Sequence, residues 1–321
     1  GTVEECGQQL GTVWAEALRN QARESGDHTP WWEDERYAPL VRRYAPHLST
    51  LYAAMARGAG IEPGRIAPLG YIAPMGCTSF GLAPAATLTG GPISGQTKDT
   101  PASRLSRYQV LRLRMRGAPS LLTLTYPGWL FGHGFVEGAC AIWRNSLYAK
   151  NGSGLPLPIW GLLAMHCRDA QDAVEIACRE GLNTACHMTV ADATGRVYGI
   201  ENTDGGVARL EPDGDIYVHA NAVRSHTSLA ESERDTGSFT RANSLHRDAT
   251  LRDQLEQNHG RLTPCLGFAA LANHAGYPKS ICRHESDEVM TTAAVMVEPT
   301  LGRLHVVRGQ PCRNWPTTYS L

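Results

Sequence analysis

The sequence of 321 residues has no cluster of basic residues, no long apolar run and no Cys-x-x-Cys pair. Its 30 basic and 31 acidic residues give a net charge of -1, so the concentrated positive charge that binds phosphate backbones is missing and we expect no nucleic acid partner. No apolar stretch reaches the roughly 18 residues that span a membrane. The first twenty residues also lack the pattern of a secretory signal. We therefore expect a soluble, cytoplasmic protein with no membrane partner.

Cysteine occurs nine times, which is an odd number, and its spacing does not repeat. Such scatter matches neither a disulfide framework nor a zinc ribbon, so reduced thiols of a cytoplasmic protein are expected. The pairs His166-Cys167 and Cys186-His187 would point their side chains to opposite faces of a strand, and no second pair follows at a useful spacing. We therefore expect no metal site and no cofactor.

The order of predicted elements indicates an α+β protein without a linker or an internal repeat. The helical segments predicted from apolar periodicity are 3–25, 33–57 (divided by Pro39 and Pro46), 155–166, 169–180, 239–256 and 262–273. The predicted strands are 71–80, 86–96, 108–116, 120–126, 138–143, 186–191, 196–201, 207–210, 215–219, 291–298 and 303–307. Two antiparallel sheets with helices outside them satisfy this order, and we expect residues 1–321 to form one domain.

The bond Gly76-Cys77 carries the chemistry that the sequence suggests. A small residue precedes a cysteine, and the hydroxyl residues Thr78 and Ser79 follow it. The thiol of such a cysteine can attack the preceding carbonyl and form a thioester, which water then opens. Cys77 would gain an α-amine with an ordinary pKa of roughly 7.7–8.0, suited to a general base at neutral pH. On its own the dipeptide is a weak signal, because most such pairs are ordinary turn-to-strand junctions.

Several separated motifs occur together with this bond. They are Glu4-Glu-Cys-Gly-Gln-Gln-Leu-Gly11, Met75-Gly-Cys-Thr-Ser79, Gly95-Gln-Thr-Lys-Asp99, His219-Ala-Asn221, Ser280-Ile-Cys-Arg283 and Gly309-Gln-Pro-Cys312. In this order the chain resembles the acyl-CoA:6-aminopenicillanic acid acyltransferases, also called isopenicillin N acyltransferases, which are N-terminal-nucleophile hydrolases. The resemblance implies a four-layer αββα sandwich of two antiparallel sheets, with the nucleophile at the start of a central strand.

The resemblance also implies roles for individual residues. Cys77 would be the nucleophile, Asn221 an oxyanion donor, Asp99 a support for the nucleophile and for self-cleavage, and Arg283 a group that orients the new amine or a carboxylate. Each residue also has an ordinary alternative role. In the same order, these are a buried structural cysteine, a turn asparagine, a solvated loop carboxylate and a surface ion pair.

Other residues near these motifs carry weaker assignments. Arg241 would be a further supporting group, His219 is expected to be structural rather than a base, and Cys282 has no assigned role. Thr97, Lys98 and Ala222 depart from the family pattern near the expected pocket, which bears on the substrate more than on the chemistry.

The leading hypothesis is a self-processing N-terminal cysteine amidohydrolase or acyltransferase, made as a zymogen. Autocatalytic cleavage would yield segments 1–76 and 77–321, of 76 and 245 (321 minus 76) residues, which would stay associated. The substrate would be a small-molecule acyl amide or thioester, such as an acyl-CoA or a natural-product intermediate. A catalytically silent binding or scaffold protein with the same fold is the main alternative. An ordinary Cys-His thiol enzyme without processing is a further one.

Overall fold

The computed structural model describes residues 1–24, 28–66, 76–225, 227–236, 239–284 and 289–321. Residues 71–75 of the first predicted strand lie outside this range. The α-helices are α1 (Val3–Val13), α2 (Ala15–Glu24), α3 (Ala38–Tyr44), α4 (His47–Ala59), α5 (Leu157–His166), α6 (Ala170–Glu180), α7 (Thr227–Ala230), α8 (Arg241–Glu256) and α9 (Pro264–Leu271). The strands are β1 (Gly76–Leu82), β2 (Ile93–Thr100), β3 (Gln109–Leu113), β4 (Leu121–Thr125), β5 (His133–Val136), β6 (Ala141–Ser146), β7 (Cys186–Ala191), β8 (Val197–Thr203), β9 (Gly206–Leu210), β10 (Ile216–His219), β11 (Met290–Glu298), β12 (Arg303–Arg308) and β13 (Thr317–Ser320).

The strands form two antiparallel sheets. One has six strands in the order β10-β1-β2-β11-β12-β13, and the other has seven in the order β3-β4-β5-β6-β7-β8-β9. The strand that begins with the Gly76-Cys77 bond is therefore an interior strand, second in the order, since β10 and β2 flank it. This arrangement confirms the predicted α+β class and the two antiparallel sheets.

Three apolar clusters show how the layers stack. Residues of α1 to α6 pack on the seven-stranded sheet, as Leu51 and Trp160 do with Ile142. Phe135 and Trp143 lie in a second cluster with residues of β11, between the two sheets. A third cluster joins Phe80 and Met296 to α8 and α9 on the outer face of the six-stranded sheet. Because strand side chains alternate between the faces, each sheet buries both faces, and the predicted αββα sandwich is confirmed.

Local signals explain where several helices begin and end. Asp169 caps α6 by accepting a hydrogen bond from the backbone N–H of Gln171. Gly181, with a φ of 70°, ends that helix. The division of the second helical segment by Pro46 is also confirmed, since α4 begins at the next residue. Among the described residues no helix has the length and apolar character that a membrane span requires.

The predicted helix 3–25 is wrong in one respect, because it is two helices. Trp14 leaves the helical conformation, with φ -100 and ψ 14. At this break its indole Nε1 donates to Oε1 of Gln109 on β3 at 3.0 Å, a partner 95 residues away in sequence. The short strands β5 and β13 were not predicted. Neither alternates between buried and exposed positions, since three of the four residues of β5 are buried and all four of β13 are exposed.

Candidate active site

Cys77 is the second residue of β1, and its thiol lies between the two sheets. In the register of β1 with β2, Cys77 is opposite Lys98 and Gly76 is opposite Asp99. Ser79, two residues along, contacts Thr189 of β7 in the other sheet, with 3.0 Å between the hydroxyl oxygens. Because residues two apart share a face, the thiol points to the same side, and Cys77 is only 2% exposed.

Asn221 binds the backbone nitrogen of Cys77. Its Oδ1 accepts from the Cys77 N–H at 3.1 Å and from Nη2 of Arg247 at 2.8 Å. Both donors are unambiguous, so the orientation of the side-chain amide follows from them. Its Nδ2 donates to the carbonyl of Ser146 at 2.8 Å. The predicted role of Asn221 as an oxyanion donor stays a prediction, since it requires Nδ2 to reach a substrate oxygen as well.

Arg247 on α8 is a component of the site that the sequence did not suggest. It is fully buried, and its Nη1 donates to the Cys77 carbonyl at 2.8 Å and to the Thr78 hydroxyl at 2.7 Å. Burial lowers the pKa of Arg247 to about 10, and the charge of Arg283 acts in the same direction. The group is thus still protonated at neutral pH.

The sequence signal for Arg247 is weak. Asn243 lies one helical turn before it and accepts from its Nε at 3.1 Å, but such four-residue pairs are common on polar helices. Arg241, which the sequence did suggest, lies at the start of the same helix. It binds the Glu233 carboxylate and the Val223 carbonyl, and its side chain is 45% exposed.

Asp99 and Arg283 lie together on the opposite face of β2 from Lys98. Oδ1 of Asp99 accepts from the Thr291 hydroxyl at 2.7 Å, and Oδ2 lies 3.5 Å from Nε of Arg283. Burial raises the pKa of Asp99, although the charge of Arg283 opposes this effect. The Arg283 guanidinium carbon lies 4.4 Å from the ring centroid of Phe239, and a Cβ at Gly76 would meet that same ring. Both predicted residues therefore lie beside Gly76.

The charges around Cys77 act in opposing directions on its thiol. Burial raises the pKa of Cys77, whereas Lys98, Arg144 and Arg247 each act to lower it. Lys98 is itself buried, and that burial lowers its pKa to about 8. Its ammonium donates to Nε2 of His133. Burial, reinforced by the charge of Lys98, holds the pKa of His133 well below its usual value, so that imidazole is neutral and can accept this hydrogen bond.

Lys98 also lines a small cavity with an aromatic wall. The rings of Tyr108 and Tyr126 stack with centroids 5.2 Å apart, and Trp129 meets Tyr126 edge-on at 5.8 Å. The cavity has a volume of about 30 Å³, enough for roughly two water molecules. Its complete lining is Lys98, Tyr108, Leu124, Thr125, Tyr126, Trp129, Phe131, Gly132, His133 and Arg144.

His219 lies in a separate buried pair. Its Nε2 is 2.7 Å from Oε1 of Glu201, and its ring stacks on that of His187 with centroids 3.4 Å apart. Of the other residues considered for metal, His166 contacts His47, with 3.1 Å between the two Nε2 atoms, and Cys167 donates to the Leu163 carbonyl.

Comparison with known proteins adds to this geometry. The profile of the acyl-coenzyme A:6-aminopenicillanic acid acyl-transferase family matches residues 88–313, which is well over half of the chain. The matched region begins after Cys77, so it does not include the Gly76-Cys77 bond. No curated protein matches the chain closely enough to count as a relative.

Solved structures with a similar fold include three hydrolases. An N-acylethanolamine-hydrolyzing acid amidase ortholog from Caenorhabditis elegans has 14% identity over 70% of this chain and 94% of its own, with a TM-score of 0.50. A mutant conjugated bile acid hydrolase from Clostridium perfringens has 12% identity over 76% of this chain and 97% of its own, with a TM-score of 0.48. Penicillin V acylase from Agrobacterium tumefaciens has 10% identity over 72% of this chain and 83% of its own, with a TM-score of 0.43.

At 14% identity, the similarity to the amidase shows only a shared fold. The match to the family profile, in contrast, shows common descent. The motifs at Gly95–Asp99, His219–Asn221 and Ser280–Arg283 all fall inside the matched region. The chain therefore belongs to the acyl-coenzyme A:6-aminopenicillanic acid acyl-transferase family and is an enzyme of that acyltransferase type, which confirms the family that its motifs resemble.

Proposed function

We propose that the chain cuts its own Gly76-Cys77 bond and then acts through a Cys77 thioester on a small acyl amide or acyl thioester. One observation carries the proposal. The nitrogen that cleavage would convert to an α-amine already lies against a buried acceptor, Oδ1 of Asn221, at 3.1 Å. The thiol of Cys77 faces the space between the sheets, next to Lys98.

In the self-cleavage step, the Cys77 sulfur attacks the Gly76 carbonyl carbon after its proton is lost. The carbon–nitrogen bond breaks, the nitrogen takes up a proton, and a thioester joins Gly76 to Cys77. Water then attacks that thioester, which leaves a Gly76 carboxylate and a free Cys77 thiol and amine. Asp99 and Arg283 lie beside Gly76, and this supports the proposed role of Asp99 in the cleavage and of Arg283 next to the new groups.

In each catalytic cycle, the α-amine takes the thiol proton and the thiolate attacks the acyl carbonyl. The leaving amine or thiol departs with that proton, and an acyl-enzyme remains on Cys77. Water or an amine acceptor then attacks it with the α-amine as general base. Arg247 holds the Cys77 carbonyl and Asn221, so the nucleophile and its base keep a defined orientation. Asn221 is the proposed oxyanion donor, a contribution of roughly a hundredfold or more in rate.

The aromatic cavity suggests the class of acyl group. Tyr108, Tyr126 and Trp129 offer flat apolar faces close to Lys98, and such faces favour a planar apolar group. We therefore propose an acyl group that carries an aromatic or planar apolar part. It would enter by displacing water and by moving side chains, because the cavity volume is only about 30 Å³.

We further propose that segments 1–76 and 77–321 remain one domain after cleavage. Gly1 accepts at its carbonyl from the Arg116 N–H at 2.8 Å, and Trp14 donates to Gln109. The helices of the first segment also share one apolar cluster with the seven-stranded sheet. Separation would expose that cluster to water.

Intact-mass measurement of the purified protein tests the proposal. We expect two fragments of 76 and 245 (321 minus 76) residues, the larger beginning with Cys77, and an uncut Cys77→Ala variant. The matched control is Cys186→Ala, which removes an equally buried thiol from β7 and should be cut normally. Cleavage of the Cys77→Ala variant, or a wild-type chain that stays intact on incubation, would contradict self-processing.

A further inference from the structure

Four metal-ligating side chains converge near the end of the six-stranded sheet, outside the proposed catalytic residues. They are His274, Cys282, His284 and Cys312, and their ligand atoms all lie within 4.8 Å of one another. No other group of three or more such residues occurs in the part of the chain that the structure describes. The sequence led us to expect no metal site, because these residues are spread over three separate segments.

Three of the six distances between ligand atoms are close to those of a tetrahedral site. The two sulfur atoms are 3.5 Å apart, the two Nε2 atoms 2.9 Å apart, and Sγ of Cys312 lies 3.3 Å from Nε2 of His284. Zinc bonds of about 2.3 Å to sulfur and about 2.0 Å to nitrogen, at tetrahedral angles, place such pairs about 3.8, 3.3 and 3.5 Å apart. These three pairs need shifts of a few tenths of an ångström, and the widest pair, at up to 4.8 Å, would have to close by about 1 Å to seat the ion.

We propose that His274, Cys282, His284 and Cys312 bind one Zn²⁺ ion as a structural site. Two thiolates and two imidazoles are the closed set of four ligands that such sites use, and sulfur with nitrogen in a tetrahedral arrangement selects zinc over oxygen-seeking cations. The proposal does not depend on self-cleavage or on the acyl substrate.

The backbone around the group supports a built site. The Cys282 N–H donates to the Asn273 carbonyl at 3.0 Å, which brings the ligand segment 282–284 next to His274. The Ser280 hydroxyl donates to the Cys282 carbonyl at 2.7 Å. Gly309, which precedes the third segment, donates to the Thr292 carbonyl at 2.9 Å. Backbone hydrogen bonds therefore hold each of the three segments to a neighbouring part of the fold.

The ion would also fix a residue of the proposed active site. Arg283 lies between the ligands Cys282 and His284, and its guanidinium is 3.5 Å from Oδ2 of Asp99. Bound zinc would restrict the loop on both sides of this residue. It would likewise join the segment after β12 to the loop that follows α9.

Metal binding by the whole protein tests the proposal. The purified protein is stripped with a chelator, kept with a reductant and titrated with Zn²⁺ or Co²⁺ alone. We expect one ion per chain by elemental analysis. Co²⁺ should give the strong visible absorption of a tetrahedral site and a thiolate charge-transfer band, and Zn²⁺ should slow alkylation of Cys282 and Cys312.

The variants Cys312→Ser and His274→Asn remove exposed ligands, so the fold should tolerate them. Each is expected to lower Zn²⁺ affinity by at least about 100-fold, the upper range for losing an outer partner of a ligand. The control Cys178→Ser removes an exposed cysteine of α6 and should bind zinc like the wild type. Three results would each overturn the proposal. They are the weak absorption of octahedral Co²⁺, an unchanged Zn²⁺ affinity in both ligand variants, and a Cys282–Cys312 disulfide that persists in reductant and excludes the ion.

Discussion

Lys98 is one of only three lysines in the chain, and it is the one beside the nucleophile. Lys150 and Lys279 are exposed, whereas Lys98 is only 4% exposed. A buried ammonium is costly unless it has partners, and here His133 accepts its hydrogen bond. Its position directly opposite Cys77 makes it the leading cation that favours the thiolate. Lys98 therefore acts on the nucleophile and also lines the cavity proposed for the acyl group.

Replacing Lys98 by Met should make Cys77 a weaker nucleophile at neutral pH. Burial lowers the Lys98 pKa to about 8, so below that pH its charge stabilises the thiolate and lowers the pKa of Cys77. Without that charge the thiolate fraction below about pH 8 should fall about tenfold, the effect of about one pKa unit. Above that pH Lys98 is itself largely neutral, so the two alkylation profiles should converge. At pH 7 the rate of alkylation by iodoacetamide should fall about tenfold.

The measurement is the alkylation rate of the Cys77 peptide, followed by mass spectrometry from pH 6 to about 10, the range in which thiols ordinarily titrate. The control is Lys150→Met, which removes an exposed lysine and should leave the profile unchanged. A Lys98→Met profile that coincides with the wild type would show that the charge of Lys98 does not act on the thiol.

At the scale of elements, the ring of Phe239 packs directly against Gly76, the first residue of β1. A Cβ built on Gly76 would lie 2.0 Å from a ring carbon of Phe239, a separation that no side chain tolerates. The ring itself is held on two sides. Tyr148 stacks on it at a centroid distance of 5.4 Å, and the Arg283 guanidinium lies over it at 4.4 Å. Only glycine therefore fits between β1 and this stack.

The substitution Gly76→Ala should destabilise the uncut chain by about 1–3 kcal/mol, the usual cost of overpacking. The double variant Gly76→Ala/Phe239→Leu has room for the new methyl group. Its loss of unfolding free energy should be smaller than the sum of the two single losses by at least about 1 kcal/mol. Denaturant unfolding of all four chains in a Cys77→Ala background, which keeps each chain uncut, measures this coupling energy. Simple additivity would rule out the contact between Gly76 and Phe239 as the cause.

At the scale of the whole molecule, the helices before Gly76 form part of the core. The first segment supplies α1 to α4, which cover the seven-stranded sheet together with α5 and α6. Polar contacts between the two segments add to this burial. One links Trp14 to Gln109 at 3.0 Å, and another links Nε2 of His47 to Nε2 of His166 at 3.1 Å.

The two fragments of the cut protein should therefore elute from gel filtration as one particle of 34.8 kDa and separate only in denaturant. Trp14→Ala should weaken this complex by about 3–5 kcal/mol, because a large buried ring is lost. The neighbouring control Val13→Ala changes a side chain that is 70% exposed and should have almost no effect. Separation of the wild-type fragments under native conditions would refute the single-domain proposal.

The whole molecule also shows why the sequence predicted some features and missed others. The cap at Asp169, the stop at Gly181 and the break at Pro46 act through bonds within a few residues, so a local pattern reveals them. The order of the motifs likewise identified the family and, through it, the αββα fold. The break at Trp14 coincides with a hydrogen bond to a partner 95 residues away, and no local pattern records such a partner.

The sequence by itself determined most of the local elements, the family and the identity of Cys77, Asp99, Asn221 and Arg283 as candidates. Only the tertiary structure decided that Asn221 holds the Cys77 nitrogen, that Arg247 joins them, and that Lys98 faces the thiol. It alone assembled the proposed zinc ligands from three segments. The physical reason is that helix caps and turns are short-range, whereas strand register and layer packing choose the partner of each buried polar group.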